Sequence, residues 1–249
     1  MAFDIINPTG SANIVLICEH ASNHIPIEYE KLGLSDQQLK LHIAWDIGIA
    51  EVTKNLAISL GAPAILARFS RLLIDANRAL NQDGLIPTHS DGHFIPKNSN
   101  LSKDDIKKRI DQFYTPFHHA AGELIKKKTH HQEAPLIFNM HSFTPFMNDK
   151  ERPWHTGMLW NKDPRIANAL LNGLTKRGYH VGDNQPYTGL ELNHTMNTHG
   201  TEHGFPHVNI EIRQNEIDTP QGINKWSDIL HEELGLIRKM PEMALIKHY

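Results

Sequence analysis

Pro135-Leu136-Ile137-Phe138-Asn139-Met140-His141 is a short apolar run that delivers a histidine to its end. A run this brief, with branched and aromatic side chains, reads as a buried strand. The same grammar recurs on either side of it. Asn13–Cys18 is apolar and stops in Glu19-His20. Ala64–Arg68, Leu72–Asp75 and Thr156–Trp160 read as strands, and Tyr179–Gly182 as a short one. His207–Ile212 alternates, placing Val208, Ile210 and Ile212 on one face and His207, Asn209 and Glu211 on the other.

Helical patterns separate these runs. Ser35 caps a helix from Asp36 that carries Leu39, Ile43 and Ile47 toward Leu60, with Gly61 and Pro63 as stops. It is either one long helix or two broken near Asp46–Gly48. Ser102 with Asp105 forms a capping box for a helix toward Lys128, kinked or divided at Thr115–Pro116. Pro164–Arg177 is amphipathic and closed by Gly178, and Pro220–Lys239 is the last helix. Residues 79–101 and 183–206 read as polar loops, the first long enough for a functional lid. Alternating strands and helices predict an α/β fold: a mainly parallel or mixed sheet, covered on both faces. At 249 residues and 39% hydrophobic content, one domain over 1–249 suffices.

The bulk numbers exclude several classes. A formal net charge of −3 argues against a general nucleic-acid or membrane-surface binder. No stretch approaches the roughly 20 apolar residues that span a bilayer. The start lacks the basic n-region of a secretory signal, and a single cysteine forms no internal disulfide, so a soluble cytoplasmic protein is expected. Eighteen histidines are unusual, but His130, His131 and His248 read as surface residues, so position has to decide.

Sites in such sheets lie at the carboxyl ends of strands. His20, the Asp75–Arg78 segment, His141 and Glu211 fall at or near strand ends. A neutral imidazole there ligates zinc or merely bonds the backbone. Asp46 is a third oxygen ligand or a solvated cap. Arg78 offers a planar fork for a carboxylate, or a salt bridge to a neighbouring acid. Arg68 and Arg71 precede it, so three guanidinium groups fall within eleven residues, suited to an acidic small molecule. Glu211, among β-branched residues, is paired with an arginine or is a general base raised toward neutrality by burial. Cys18 sits inside an apolar strand and reads as a small hydrophobe. Serine-hydrolase, phosphate-loop and dinucleotide motifs are missing from the sequence.

Asp75-Ala76-Asn77-Arg78, Asn139-Met140-His141-Ser142-Phe143 and Ile210-Glu211-Ile212-Arg213 stand in the order of similar segments in zinc carboxypeptidases. More closely, the chain resembles the N-formylglutamate amidohydrolase family. The matching stretches are Glu19-His20-Ala21-Ser22, Trp45-Asp46, Ser70 through Arg78, Met140-His141-Ser142 and His207 through Glu211, and Ser70–Arg78 is the most specific. The resemblance implies a three-layer α/β/α, zinc carboxypeptidase-like hydrolase. It also implies a Zn²⁺ on His20, His141 and Asp46. The carboxypeptidase His-x-x-Glu pattern has Asn23 at its fourth position here, which leaves His24 and Asn23 as weaker alternatives to Asp46.

In this reading Glu211 takes a proton from zinc-activated water and returns it to the amine. Arg71 steadies the oxyanion, and Arg78 with Asn77 clamps a free carboxylate. His207 and His199, with His203, are further candidates for contact with substrate. The expected substrate is a small N-acyl amino acid such as N-formylglutamate. Other outcomes left open are a carboxypeptidase, a different N-acyl deacylase, or a zinc or metabolite binder without turnover.

Overall fold

The structure is a computed structural model that describes residues 1–129 and 133–249; His130 and His131 lie outside the described residues. Among the described residues eleven strands run in chain order: β1 Phe3–Ile6, β2 Ile14–Cys18, β3 Ala64–Ala67, β4 His89–Ser90, β5 His93–Phe94, β6 Leu136–Phe143, β7 Phe146–Met147, β8 Lys150–Glu151, β9 Thr156–Leu159, β10 Val181–Asp183 and β11 His207–Arg213. The α-helices are α1 Ile49–Ser59, α2 Lys103–Arg109, α3 Thr115–Lys128, α4 Arg165–Lys176, α5 His194–His199 and α6 Pro220–Ile237.

Seven strands form one sheet in the order β1-β3-β2-β6-β11-β9-β10. The block β3-β2-β6-β11 is parallel, β1 joins antiparallel to β3, and β9 joins antiparallel to β11. It is the mixed sheet expected from alternating strands and helices. β4 and β5, and β7 and β8, make two small hairpins beside it.

Alternation within the strands builds two cores. Ile14, Leu16 and Cys18 of β2, Phe138 and Met140 of β6, and Val208, Ile210 and Ile212 of β11 pack under α1, α4 and α6. Val15, Ile17 and Ile137 face the other way, toward Phe117, Ala121 and Ile125 of α3 and Met196 of α5. On this second face the central strands change character toward their carboxyl ends. There β6 carries Asn139 and His141 and β11 carries Asn209 and Glu211, in register as neighbours. Four buried polar side chains stand where core would otherwise be. Each of the four keeps a buried polar atom without a hydrogen bond among the described residues, an unusual cost in a core, and this is where the site forms.

Several expectations change in the structure. The segment after Ser35 is not one helix: only Gln38–Lys40 makes a short turn of helix before α1 begins at Ile49. The break falls at Gly48, whose φ of +81° and whose 2.3 Å gap from a would-be Cβ to the Ile217 carbonyl admit only glycine. Leu72–Asp75 is a turn rather than a strand, with Leu73 N–H donating to Ser70 O. Its leucines reach the second core without any strand partner. The Ser102–Asp105 capping box is present. Its helix is divided by a wider turn over Ile110–Tyr114, after which Pro116 occupies the first turn of α3, where a missing N–H costs nothing. Residues 183–206 hold β10's last residue, α5 and a further turn at Thr201–His203, not loop alone. β1 had no counterpart in the sequence reading. No helix among the described residues is long and apolar enough to cross a membrane.

Candidate active site

β2 ends at Cys18, and Glu19-His20 leave the extended conformation. Alternation would have set Glu19 opposite His20; the turn instead brings both to the same polar cluster. Glu19 Oε1 accepts from Asn139 Nδ2 at 2.9 Å, and Oε2 lies 3.5 Å from His141 Nε2. The Asp46 backbone N–H donates to His20 O at 2.9 Å, which ties the turn before α1 to the end of β2.

Three donors converge there. His141 Nδ1 lies 3.0 Å and His20 Nδ1 3.5 Å from Asp46 Oδ2. One atom of each of the three residues lies within 4.8 Å of the others, and all three side chains are buried. Bonds of about 2.1 Å at tetrahedral angles set neighbouring ligands about 3.4 Å apart, so this spacing fits a small divalent cation. The outer nitrogens reinforce the fit. His20 Nε2 meets Asp75 Oδ1 at 2.8 Å and His141 Nε2 lies 3.5 Å from Glu19 Oε2, so a carboxylate stands outside each ring, where it can hold the outer N–H of an imidazole whose inner nitrogen takes a cation. His20 Nδ1 is buried and without a hydrogen bond among the described residues. Asn23 spends its amide on Leu39 O, and His24 is exposed. Asp46 is the residue that stands with the two histidines.

Arg71 braces the cluster, with Nη1 on Asp46 Oδ1 at 3.3 Å and Nη2 on Asp75 Oδ2 at 3.1 Å. The electrostatics follow from crowding. Burial by itself lowers a histidine's pKa, but Asp46, Glu19 and Glu211 override it and push His141 up to about 9. Burial opposes ionisation of Asp75, yet His20 and Arg71 hold it well below the usual carboxylate range. Glu211 behaves oppositely: burial pushes it up to about 7, against the pull of His141. Its Oε2 is buried and has no partner among the described residues, so the salt-bridge alternative for Glu211 finds no arginine.

A cavity of about 390 Å³ opens onto this cluster. Glu211, Arg71, Asn77 and Arg78 line it together with His20, Asp46 and His141. The Arg78 guanidinium enters no ion pair among the described residues, unlike that of Arg71. The Asp75–Arg78 turn is anchored from behind. His118 Nε2 donates to Ala76 O at 2.8 Å, the Tyr114 hydroxyl donates to Arg78 O at 2.9 Å, and Thr195 N–H donates to Asn77 Oδ1 at 3.0 Å. His199 Nε2 sits 3.0 Å from His118 Nδ1, so it supports this anchor and does not line the cavity. His207 lies four residues before Glu211, roughly 13 Å along the strand. It bonds Thr201 and Phe205 O and is likewise outside the cavity lining. His203 is exposed.

Sequence reasoning missed the bond from Asp75 to His20, the Glu19–Asn139 pair, and Tyr187 at the cavity wall. Asp75 and Glu19 lay inside the quoted motifs, whereas Tyr187 sits in an irregular polar stretch with no periodic signal.

The N-formylglutamate amidohydrolase family model matches residues 12–217. A crystal structure of a gene product from Agrobacterium tumefaciens is similar at 32% identity and a TM-score of 0.90, over 95% of this chain and 94% of that one. An N-formylglutamate amidohydrolase from Ralstonia eutropha shares the fold, with a TM-score of 0.74 at 18% identity over 96% and 97% of the two chains. No curated protein matches the chain.

Proposed function

This chain belongs to the N-formylglutamate amidohydrolase family, and on that premise we propose that it hydrolyses the amide of an N-acyl amino acid such as N-formylglutamate, in a zinc-dependent reaction. The observation that carries the reading is the trio of His20, Asp46 and His141 at ligand spacing, with the unpartnered Glu211 carboxylate in the same cavity. When bound, Zn²⁺ supplies Lewis acidity, acidifying a water and drawing electrons from the scissile carbonyl.

The chain's own residues do the rest. Glu211, raised by burial, takes the proton from the attacking water as its oxygen bonds the carbonyl carbon. It passes that proton to the amide nitrogen as the C–N bond breaks, releasing the free amine and the acid. Arg78, whose guanidinium has no ion pair among the described residues, takes the substrate's carboxylate, and Asn77 keeps that turn in place through Thr195. Arg71 holds Asp46 and Asp75 in position, and from the cavity wall its charge steadies the oxyanion in this reading. In this account the chain from 1 to 249 acts as one zinc-hydrolase domain. The single cysteine suits a reducing compartment such as the cytoplasm.

The test is a panel of N-formyl, N-acetyl and N-succinyl amino acids offered to zinc-loaded protein. Cleavage that favours acidic N-acyl amino acids is the expected result. Bound zinc with no hydrolysis of any amide would turn the assignment toward a metabolite-binding protein.

A further inference from the structure

Resting on that hydrolase reading, we propose that Tyr187 is a catalytic hydrogen-bond donor whose phenolic O–H, keeping its proton, hydrogen-bonds the acyl oxygen as negative charge builds there. Tyr187 lines the same cavity as Glu211 and Arg71. Its oxygen accepts a hydrogen bond from Arg152 Nη1 at 3.0 Å, and the Arg152 guanidinium stands over its ring, 4.9 Å from the centroid. A guanidinium only donates, so this contact leaves the phenol's own proton unspent. No acceptor among the described residues takes that proton. Glu211 Oε2 is the complementary case, a buried acceptor with no donor among the described residues.

A free donor and a free acceptor therefore face one cavity, beside the three metal-ligating side chains. Hydrolysis of an amide needs that pair: an acceptor for the water's proton, and a donor for the oxygen that receives the carbonyl's π electrons when the water's oxygen bonds to carbon. Arg71 commits two of its nitrogens to Asp46 and Asp75. The Tyr187 proton has no acceptor among the described residues.

Arg152 explains why the phenol suits the task. It is 8% exposed and its Nη1 reaches only Thr144 and Tyr187, with no carboxylate partner among the described residues. A buried cation without a counter-ion is costly unless nearby charge offsets it. Here it polarises the phenol O–H and favours a transition state that brings negative charge to the far side of that bond. Burial first, and then the Glu211 carboxylate, push Tyr187's ionisation above that of a free phenol, so the proton stays available at neutral pH. Arg152 acts through Tyr187 and is a positioning residue.

The experiment uses zinc-loaded full-length protein, Tyr187→Phe, Arg152→Gln and the double variant. The assays are N-formylglutamate turnover and binding of two probes: glutamate, and a phosphinate that mimics the tetrahedral state. Tyr187→Phe is expected to lower kcat by about 10²-fold, the usual cost of losing one oxyanion donor. KM, zinc content and glutamate affinity should stay within about threefold, while phosphinate affinity falls in step with kcat. Arg152→Gln should lose less, and should add nothing once Tyr187 is already phenylalanine, a non-additivity that general damage to the fold does not produce. The proposal is overturned if Tyr187→Phe keeps kcat within twofold, if it raises KM alone, or if phosphinate binding is unchanged. Wild-type protein that holds zinc and cleaves none of the N-acyl amino acids overturns the hydrolase reading and this role with it. An active wild type with an equally active Tyr187→Phe removes only this role.

Discussion

Replacing Glu211 by glutamine keeps the side chain's shape and removes its proton chemistry, and it should move stability and activity in opposite directions. Burial pushes this carboxyl from 4.5 to about 7 in the fold. A carboxyl that holds its proton more tightly when folded favours the fold while protonated, and that contribution is lost as pH rises from 4.5 through 7. At about 1.4 kcal/mol per tenfold change in the proton's equilibrium, ionising Glu211 costs the metal-free protein up to about 3 kcal/mol at pH 8. At pH 5 the same cost is under about 1 kcal/mol. Glutamine never incurs it. Metal-free Glu211→Gln should therefore exceed the parent in stability by about 1–3 kcal/mol at pH 8, with the gain shrinking at pH 5. Urea midpoints at the two pH values, with chelator present, measure this directly. In zinc-loaded protein the same variant should lose about 10²–10⁴-fold in turnover. A variant no more stable than the parent at pH 8 would contradict the burial argument, and one that keeps its turnover would remove Glu211 from the base role.

Arg78→Ala should raise KM for carboxylate-bearing substrates by about 10-fold or more, the cost of a charge-assisted pair; an equal loss on uncharged amides, read from the same kinetics, would contradict the clamp. The pH profile of kcat/KM should fall on the acid side as Glu211 takes up its proton. In the metal-free fold, burial partly offset by His141 sets that limb near 7, and a bound cation, which favours the carboxylate, moves it lower; a limb that persists in Glu211→Gln would assign it elsewhere. Chelation should abolish turnover, zinc should restore it, and zinc at 100-fold over its Kd should add about 2.7 kcal/mol of stability, read by thermal melts. Asp75→Asn removes the charge held against His20 Nε2 and should weaken zinc binding by about 10–100-fold in a competition titration.

The central strands were legible because period-two alternation is a strong signal on a sheet buried on both faces. Val208, Ile210 and Ile212 went to one core, and Asn209 and Glu211 to the other face, as their spacing requires. His141 stood out as a polar residue at the end of an apolar run, whereas Asp46 was picked out from its alternatives only by the family resemblance; the structure brings the two together with His20. Leu72–Asp75 misled because its leucines are buried by loop packing against the second core, which leaves the same composition as a strand. β1 was missed because its four residues are at most half buried and give little pattern. The support behind the site was not legible either. His20–Asp75, His118–Ala76 O and Arg152–Tyr187 join residues 55, 42 and 35 positions apart. Such pairings depend on where loops cross in space, and no local periodicity encodes them.

The account depends on His20, Asp46 and His141 holding one cation through the inward-facing nitrogens and carboxylate. An anomalous-difference map collected at the zinc absorption edge, from crystals of the purified protein, tests this most directly. The account predicts a single strong peak about 2.0–2.2 Å from His20 Nδ1, His141 Nδ1 and an Asp46 oxygen, with Asp75 still on His20 Nε2. A peak bound through the opposite ring nitrogens, or none in crystals grown with zinc, would contradict it.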